Sequence, residues 1–405
     1  MRDPKKKKVT GKEIDQKDVE SRKEQADEPV LERRTPGMVA IGSLDAHEYP
    51  PARLRQQYKA YRTLKVSDID AHPAIIDPQR LAHDALPDAI FLDRWLAPES
   101  LSDAFDRFTG GCTSQQAPRT SVGPLPKMRY GTTALTVYRT GLEIIPSILP
   151  PQVQIQLLSK LLHRDLSDQR HQTNLHLHYN VTYPDASRLS RAIPNGHSPS
   201  FFEDTLDRAI CPKDSSVHLP LTVQSILNRK LRWMTLGGQY NWTEKRYPAG
   251  EPPPFPSDIS ALLNAMFPAT QPEAAIVNVY SPGDTLNIHR DVSEDCDTGL
   301  ISISFGCEGL FMVGHADNSD LAVVRLRSGD AVYMGGASRV SWHAVPRIVP
   351  ASCPDWLQDW PGDSGEDGNG RFQQWKGWMA GKRVNLNVRQ MRPTTPVLSI
   401  PSGGK

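Results

Sequence analysis

The chain predicts an α+β protein built around a double-stranded β-helix, a jelly roll of two facing sheets, with flanking helices and a disordered N-terminal tail. Three features predict it. After Pro272 about eight short apolar segments alternate with turn residues, the pattern of strands in a two-sheet roll. Before it, two stretches place apolar residues at helical spacing. The first 45 residues are charged and poor in aromatics, too polar to bury a core.

Within the tail of residues 1–45, Pro4-Lys5-Lys6-Lys7-Lys8-Val9 is a compact basic run. It reads either as a nuclear import signal or as a solvated lysine run. Asp15, Asp18, Glu20, Glu24 and Glu28 follow it, which argues against a mitochondrial address and for the nucleus or cytoplasm. Residues 46–135 read as a helical and loop extension with apolar pieces at Ala89–Leu92 and Arg94–Leu96. The main domain is expected over 136–395. Pro150-Pro151 opens a helix carrying Val153, Leu157, Leu158, Leu161 and Leu162, with proline at the first turn, where it is tolerated. Residues 184–220 are polar and read as a surface loop. A second helix follows Pro256, with Ile259, Leu262, Leu263, Met266 and Phe267 on one stripe and Pro268 ending it.

The strands are expected at 274–280, 285–289, 300–305, 310–313, 321–327, 331–334, 339–345 and 383–391. Pro282-Gly283 and Ser328-Gly329-Asp330 supply turns between them. An insertion at 351–381 carries a Gly- and acid-rich run together with Trp356, Trp360, Trp375 and Trp378. Those rings either pack the insertion onto the roll or offer a stacking surface for bases.

A net charge of +1 leaves any nucleic-acid partner to a local basic surface. Arg229, Lys230, Arg232, Lys245 and Arg246 cluster in sequence and could form one. The five cysteines, Cys112, Cys211, Cys296, Cys307 and Cys353, are dispersed, odd in number and without a C-x-x-C pair, which fits reduced thiols inside a cell. No apolar stretch is long enough for a membrane-spanning helix.

Chemistry concentrates at Thr285–Asp291. Residues i and i+2 of a strand share a face, so His289 and Asp291 can converge while Leu286 and Ile288 point away. A second histidine, His343, stands on a later strand; alone it would read as a hydrogen-bonded core histidine. Together, two imidazoles and one carboxylate form the facial triad of non-haem iron(II) oxygenases. In the last strand Arg383, Asn385, Asn387 and Arg389 alternate with Val384, Leu386 and Val388, which places both arginines on one face. Buried there, each guanidinium needs an anion, and a dicarboxylic co-substrate with one end on iron would supply it. Asn278 and Tyr280, again two apart, are placed to hydrogen-bond the same ligand.

Asn278-Val279-Tyr280, His289-Arg290-Asp291, His343 and Arg383-Val384-Asn385-Leu386-Asn387-Val388-Arg389 stand in the order that marks the AlkB branch of iron(II)/2-oxoglutarate-dependent dioxygenases. Over 230–391 the chain resembles that family. Arg232–Gly237, Tyr240–Trp242, Ser302–Gly306 and His343–Arg347 are most similar to its eukaryotic homologue-one subgroup. The resemblance implies that His289, Asp291 and His343 hold Fe(II). It implies that Arg383 and Arg389 bind the two ends of 2-oxoglutarate, supported by Asn278, Tyr280 and Asn385. O2 is the other cofactor. A nucleotide-recognition lid is implied over about 230–250, with Trp242 and Tyr247 near the substrate base. Ser293 stands where the bacterial repair enzyme has an acidic residue that contacts the base. The implied activity is oxidative demethylation of N-methylated bases in nucleic acid, tRNA first and DNA next, in tRNA modification or DNA repair, with formaldehyde as product. Two rivals stay open: the same oxygenation of a protein side chain or small molecule, and a non-catalytic nucleic-acid-binding protein on a degenerate barrel.

Overall fold

The computed structural model describes residues 41, 44–81, 90–96, 98–110, 132–137, 140–185, 199–248, 250–315, 320–362 and 370–393. Most of the tail, including its Pro4–Val9 run, and most of the acidic glycine run of the insertion lie outside the described residues. Among the described residues the strands are β1 (Ile75–Ile76), β2 (Ile90–Leu96), β3 (Thr132–Val137), β4 (Leu142–Ile145), β5 (Ala209–Ile210), β6 (Leu221–Thr222), β7 (Trp233–Gly237) and β8 (Ala274–Tyr280). They continue as β9 (Leu286–His289), β10 (Leu300–Gly306), β11 (Gly309–Gly314), β12 (Ala322–Leu326), β13 (Ala331–Met334), β14 (Trp342–Ile348) and β15 (Arg383–Arg389).

The larger sheet runs β2-β3-β4-β13-β10-β15-β8-β7, and the smaller runs β1-β12-β11-β14-β9. Within them, β13-β10-β15-β8 and β12-β11-β14-β9 are the two antiparallel halves of the expected jelly roll. All eight expected strands are present. One starts later than its sequence indicates: Gly336–Val340 is a 3-10 turn and β14 begins at Trp342, because the Gly335-Gly336 pair breaks the chain before it.

The layers follow from strand alternation. Ile301, Ile303, Phe305, Val384, Leu386 and Val388 face one core, shared with the helices Pro151–Ser159 and Ser257–Met266 through Leu157, Leu158, Leu262 and Leu263. Between the sheets Leu300, Val332 and Met334 meet Phe311, Val313, Val324 and Leu326. Beyond the smaller sheet, Tyr58 and Tyr61 of the helix Ala52–Thr63 cover Leu310, Met312, Val323 and Ala344. With both faces covered, β8 is buried at every position, which is why its sequence reads as one apolar run.

Three expectations need correction. Residues 46–135 carry strands as well as helices: β1 extends the smaller sheet parallel to β12, and β2 pairs with β3 at the edge of the larger one. Two-residue and edge strands carry little alternation to read, since strand preference is set by neighbours. The stretch 184–220 is not all surface loop, because Phe201–Glu203 forms a 3-10 turn that buries Phe202 completely. Part of the expected lid, Trp233–Gly237, is sheet, paired to β8.

The insertion's tryptophans pack inward. Trp360, Trp375 and Trp378 are buried around Phe202 with ring centroids 5.2–5.9 Å away. Trp375 Nε1 donates to the Phe202 carbonyl at 2.9 Å, and Trp378 Nε1 to that of Leu227 at 3.1 Å. Phe202→Ala should therefore lower unfolding free energy by about 3–5 kcal/mol. Urea denaturation of the full chain checks this, with a loss under about 1 kcal/mol being the contrary result.

Candidate metal and co-substrate site

The triad forms at the open end of the smaller sheet. Register pairs His343 of β14 directly with His289 of β9, bringing the imidazole centroids to 4.3 Å. Strand geometry does not by itself place the third member, because β9 ends at His289 and Asp291 lies beyond it. Asp291 nevertheless reaches both rings: Oδ1 is 3.8 Å from His289 Nε2 and Oδ2 is 3.8 Å from His343 Nε2. One donor atom from each residue lies within 4.8 Å of the others.

The outer ring nitrogens fix the tautomers. His289 Nδ1 sits 2.8 Å from the Asn287 carbonyl and His343 Nδ1 sits 3.2 Å from the Ser341 carbonyl. A carbonyl only accepts, so each Nδ1 carries the hydrogen and each Nε2 turns a lone pair toward Asp291, the arrangement of metal-ligating histidines. Burial, reinforced by the neighbouring His289, pushes His343 down to about 4, which leaves it neutral and able to ligate at neutral pH.

Arginines hold Asp291 in place. Burial alone would raise its carboxyl, but the Arg389 guanidinium outweighs burial and holds it well below the usual carboxylate range. Arg389 Nη2 donates to Asp291 Oδ2 at 2.6 Å, and its Nε lies 3.1 Å from Glu294 Oε1. Arg339 Nη2 donates to the other Glu294 oxygen at 2.9 Å and Nη1 to the Asp291 backbone carbonyl at 2.5 Å. Asp291, Arg389, Glu294 and Arg339 thus close a ring of charge-assisted bonds. Between the ligands, Arg290 turns outward, pairs with Glu48 and lies over the Trp342 ring at 4.5 Å.

Arg383 contrasts with Arg389. It is 2% exposed yet has no carboxylate partner among the described residues. Its bonds go to neutral acceptors: Ser304 Oγ at 2.7 Å, and the Cys307 and Leu326 carbonyls at 3.2 and 3.4 Å. Its Nε is buried without a partner, and burial draws its pKa downward. A buried cation held this way fits an anion that must come from outside the chain. Gly309 makes the room, since a Cβ there would stand 2.9 Å from Arg383 Nε.

Cross-strand register surrounds Arg383 with polar groups. Tyr280 lies opposite Arg383, and the next row is Trp233, Asn278, Asn385 and Ser304. Asn385 Nδ2 donates to Ser302 Oγ at 2.8 Å. Burial raises the Tyr280 phenol, so it remains a donor.

An aromatic chain continues outward. Trp233 packs on Trp242 at 4.8 Å, Trp242 meets Tyr240 at 5.0 Å, and Tyr240 meets Tyr247 at 5.2 Å. Trp242 remains 37% exposed. Ser293 ties the chain to the metal loop: its Oγ donates to the Lys245 carbonyl at 2.9 Å and lies 3.3 Å from the Tyr240 hydroxyl. Ser293 is therefore tied to the Tyr240–Tyr247 segment rather than pointing free.

Sequence reasoning missed Glu294, Arg339 and Gly309. Glu294 lies off the two-residue period of the ligands, and Arg339 sits where a strand was expected. Glu294→Ala leaves two buried arginines short of a carboxylate and should destabilise the protein by about 3–5 kcal/mol. Thermal and urea unfolding of the apo protein measure it, and wild-type stability would contradict the closed ring.

Comparison with known proteins agrees with this geometry. Residues 205–389 match the model of the 2OG-Fe(II) oxygenase superfamily. The chain is 40% identical over 373 residues to the N6-methyladenosine RNA demethylase ALKB1 of Pyricularia oryzae, covering 87% of this chain and 99% of that protein. It is 38% identical over 263 residues to the tRNA demethylase abh1 of Schizosaccharomyces pombe, covering 63% and 80%. With human nucleic acid dioxygenase ALKBH1 it shares 40% identity over 131 residues, 31% of this chain and 34% of that one. A shared sequence spanning nearly a whole relative, on a jelly roll that gathers two histidines and an aspartate, makes this chain a member of the AlkB family of dioxygenases, enzymes that use iron(II), 2-oxoglutarate and dioxygen.

Proposed function

We propose that the chain is an oxidative demethylase of N-methylated bases in nucleic acid, with methylated adenine in tRNA as the first substrate and methylated DNA next. The observation that carries this reading is the aromatic chain from Trp233 to Tyr247, which joins the metal loop at Ser293 and leaves Trp242 partly open to solvent. A base lifted from its stack needs such a face at the mouth of the pocket. The Pyricularia RNA demethylase and the Schizosaccharomyces tRNA demethylase that the chain is similar to support RNA. The run Lys5–Lys8 supports nuclear or cytoplasmic residence.

In this reading His289 Nε2, His343 Nε2 and an Asp291 oxygen hold Fe(II). When bound, the iron couples oxidative decarboxylation of 2-oxoglutarate to hydroxylation of an N-methyl carbon. Arg383 pairs with the distal carboxylate of the co-substrate, with Tyr280 donating beside it and Asn278 and Asn385 lining the row. Arg389, at the other end of the same strand, keeps Asp291 ionised and oriented, and it is the residue that would meet the metal-side carboxylate. Trp242 and Tyr247 bound the base, and Ser293 fixes the lid over it.

Mass spectrometry of nucleosides tests the assignment. Total tRNA incubated with the protein, Fe(II), ascorbate and 2-oxoglutarate should lose methyladenosine, with formaldehyde and succinate formed in step. Succinate without formaldehyde from methylated RNA or DNA would leave a dioxygenase and overturn the substrate class, favouring a protein or small-molecule target. Gly309→Ala should raise the 2-oxoglutarate KM by about tenfold or more by crowding Arg383. An unchanged KM would remove Arg383 from the co-substrate site.

A further inference from the structure

We infer that His315 is a positioning residue for the iron site, fixing from just past the end of β11 the turn that supports both His343 and Asp291. This rests on His289, Asp291 and His343 being the iron ligands.

The strand pair β11 and β14 ends with Gly314 opposite Trp342, which places His315 opposite Ser341. The ring is held at both nitrogens. Nδ1 bonds the Asp320 carboxylate, whose other oxygen accepts from the His315 backbone N–H at 2.9 Å. Nε2 lies 3.0 Å from the Ala337 carbonyl and 3.0 Å from Ser341 Oγ. A carboxylate only accepts, so Nδ1 donates to Asp320, while Nε2 sits between the Ala337 carbonyl and the Ser341 hydroxyl. One side chain therefore grips the 3-10 turn Gly336–Val340 near its start and just past its end.

Two supports of the triad issue from that turn. Arg339 reaches inward to the Asp291 carbonyl, to Glu294, and to the Thr298 carbonyl at 2.8 Å. The Ser341 carbonyl accepts from His343 Nδ1 at 3.2 Å. The opposite side of the turn is anchored separately, by Ser338 N–H to the Thr140 carbonyl at 2.9 Å. Slack at His315 would loosen the tautomer and aim of His343 and the placement of Asp291 together, and outer partners of metal ligands govern affinity in this way.

Asp320, His315 and Ser341 also line up as a nucleophilic triad would. Ser341 is only 2% exposed, however, so its hydroxyl is closed off from solvent. The cluster is suited to holding rather than attacking.

The test is Fe(II) affinity of the full-length apo protein, titrated anaerobically against a chromogenic chelator. His315→Ala should weaken Fe(II) binding about 10–100-fold, and Asp320→Asn should weaken it in the same direction by less. His315→Gln, whose amide can donate near the Nε2 position, should recover most of the loss. Should His315→Ala fail to fold, Asp320→Asn and His315→Gln decide the matter. Wild-type affinity in the His315 and Asp320 variants, with loss in His343→Ala, would overturn this role alone. Wild-type affinity in His343→Ala as well would overturn the triad on which it rests.

Discussion

The site depends on one carboxylate, Asp291, kept ionised in a place that disfavours charge. Burial raises its pKa, and Arg389 at 2.6 Å reverses the effect. That pairing requires a buried arginine on the last strand, which in turn requires Glu294 to share it. Glu294, only 5% exposed, requires Arg339 as its second partner. Each member of the ring would be strongly unfavourable alone, and each is tolerable because the other three are present. The ring joins the metal loop, the turn before β14 and the end of β15, so it sets the distance between the two sheets where the ligands meet.

A second consequence is a division of labour between the two arginines of β15. Six residues apart on one strand face, they look equivalent in sequence. Arg389 is neutralised by the chain's own carboxylates, whereas Arg383 meets only neutral acceptors and keeps an unpaired Nε. One arginine therefore organises the metal end of the inter-sheet space. The other waits for an anion at the far end, which suits a co-substrate carrying a carboxylate at each terminus. The aromatic chain from Trp233 to Tyr247 starts in the Asn278 row beside Arg383 and returns to the metal loop through Ser293. The Arg383 row, the aromatic chain and the triad loop thus adjoin one another.

Much of this is legible in the sequence. The alternation in Arg383–Arg389 shows which side chains share a face, because period-two patterning survives where one face is polar, and the eight short apolar segments separated by turn residues after Pro272 show the roll. His343 was legible only in company with His289 and Asp291. The edge strands β1 and β2 escaped notice because their pairing is dictated by neighbours rather than by their own alternation. Glu294, Arg339, Gly309 and His315 escaped for a related reason: each acts across a gap of many residues on a partner set by the fold. Asp291 was the instructive intermediate. Its two-residue spacing from His289 pointed to the right pair, but β9 ends before it, and tertiary ion pairs rather than strand geometry bring it to the rings.

The account stands on His289, His343 and Asp291 together holding iron through the two Nε2 atoms and one carboxylate oxygen. X-ray absorption at the iron edge of the anaerobic Fe(II)-loaded full chain measures that directly. The prediction is a first shell of nitrogen and oxygen with the outer-shell scattering of two imidazoles, falling to one in His343→Ala. A spectrum with no imidazole scattering, or one unchanged in His343→Ala, would contradict it.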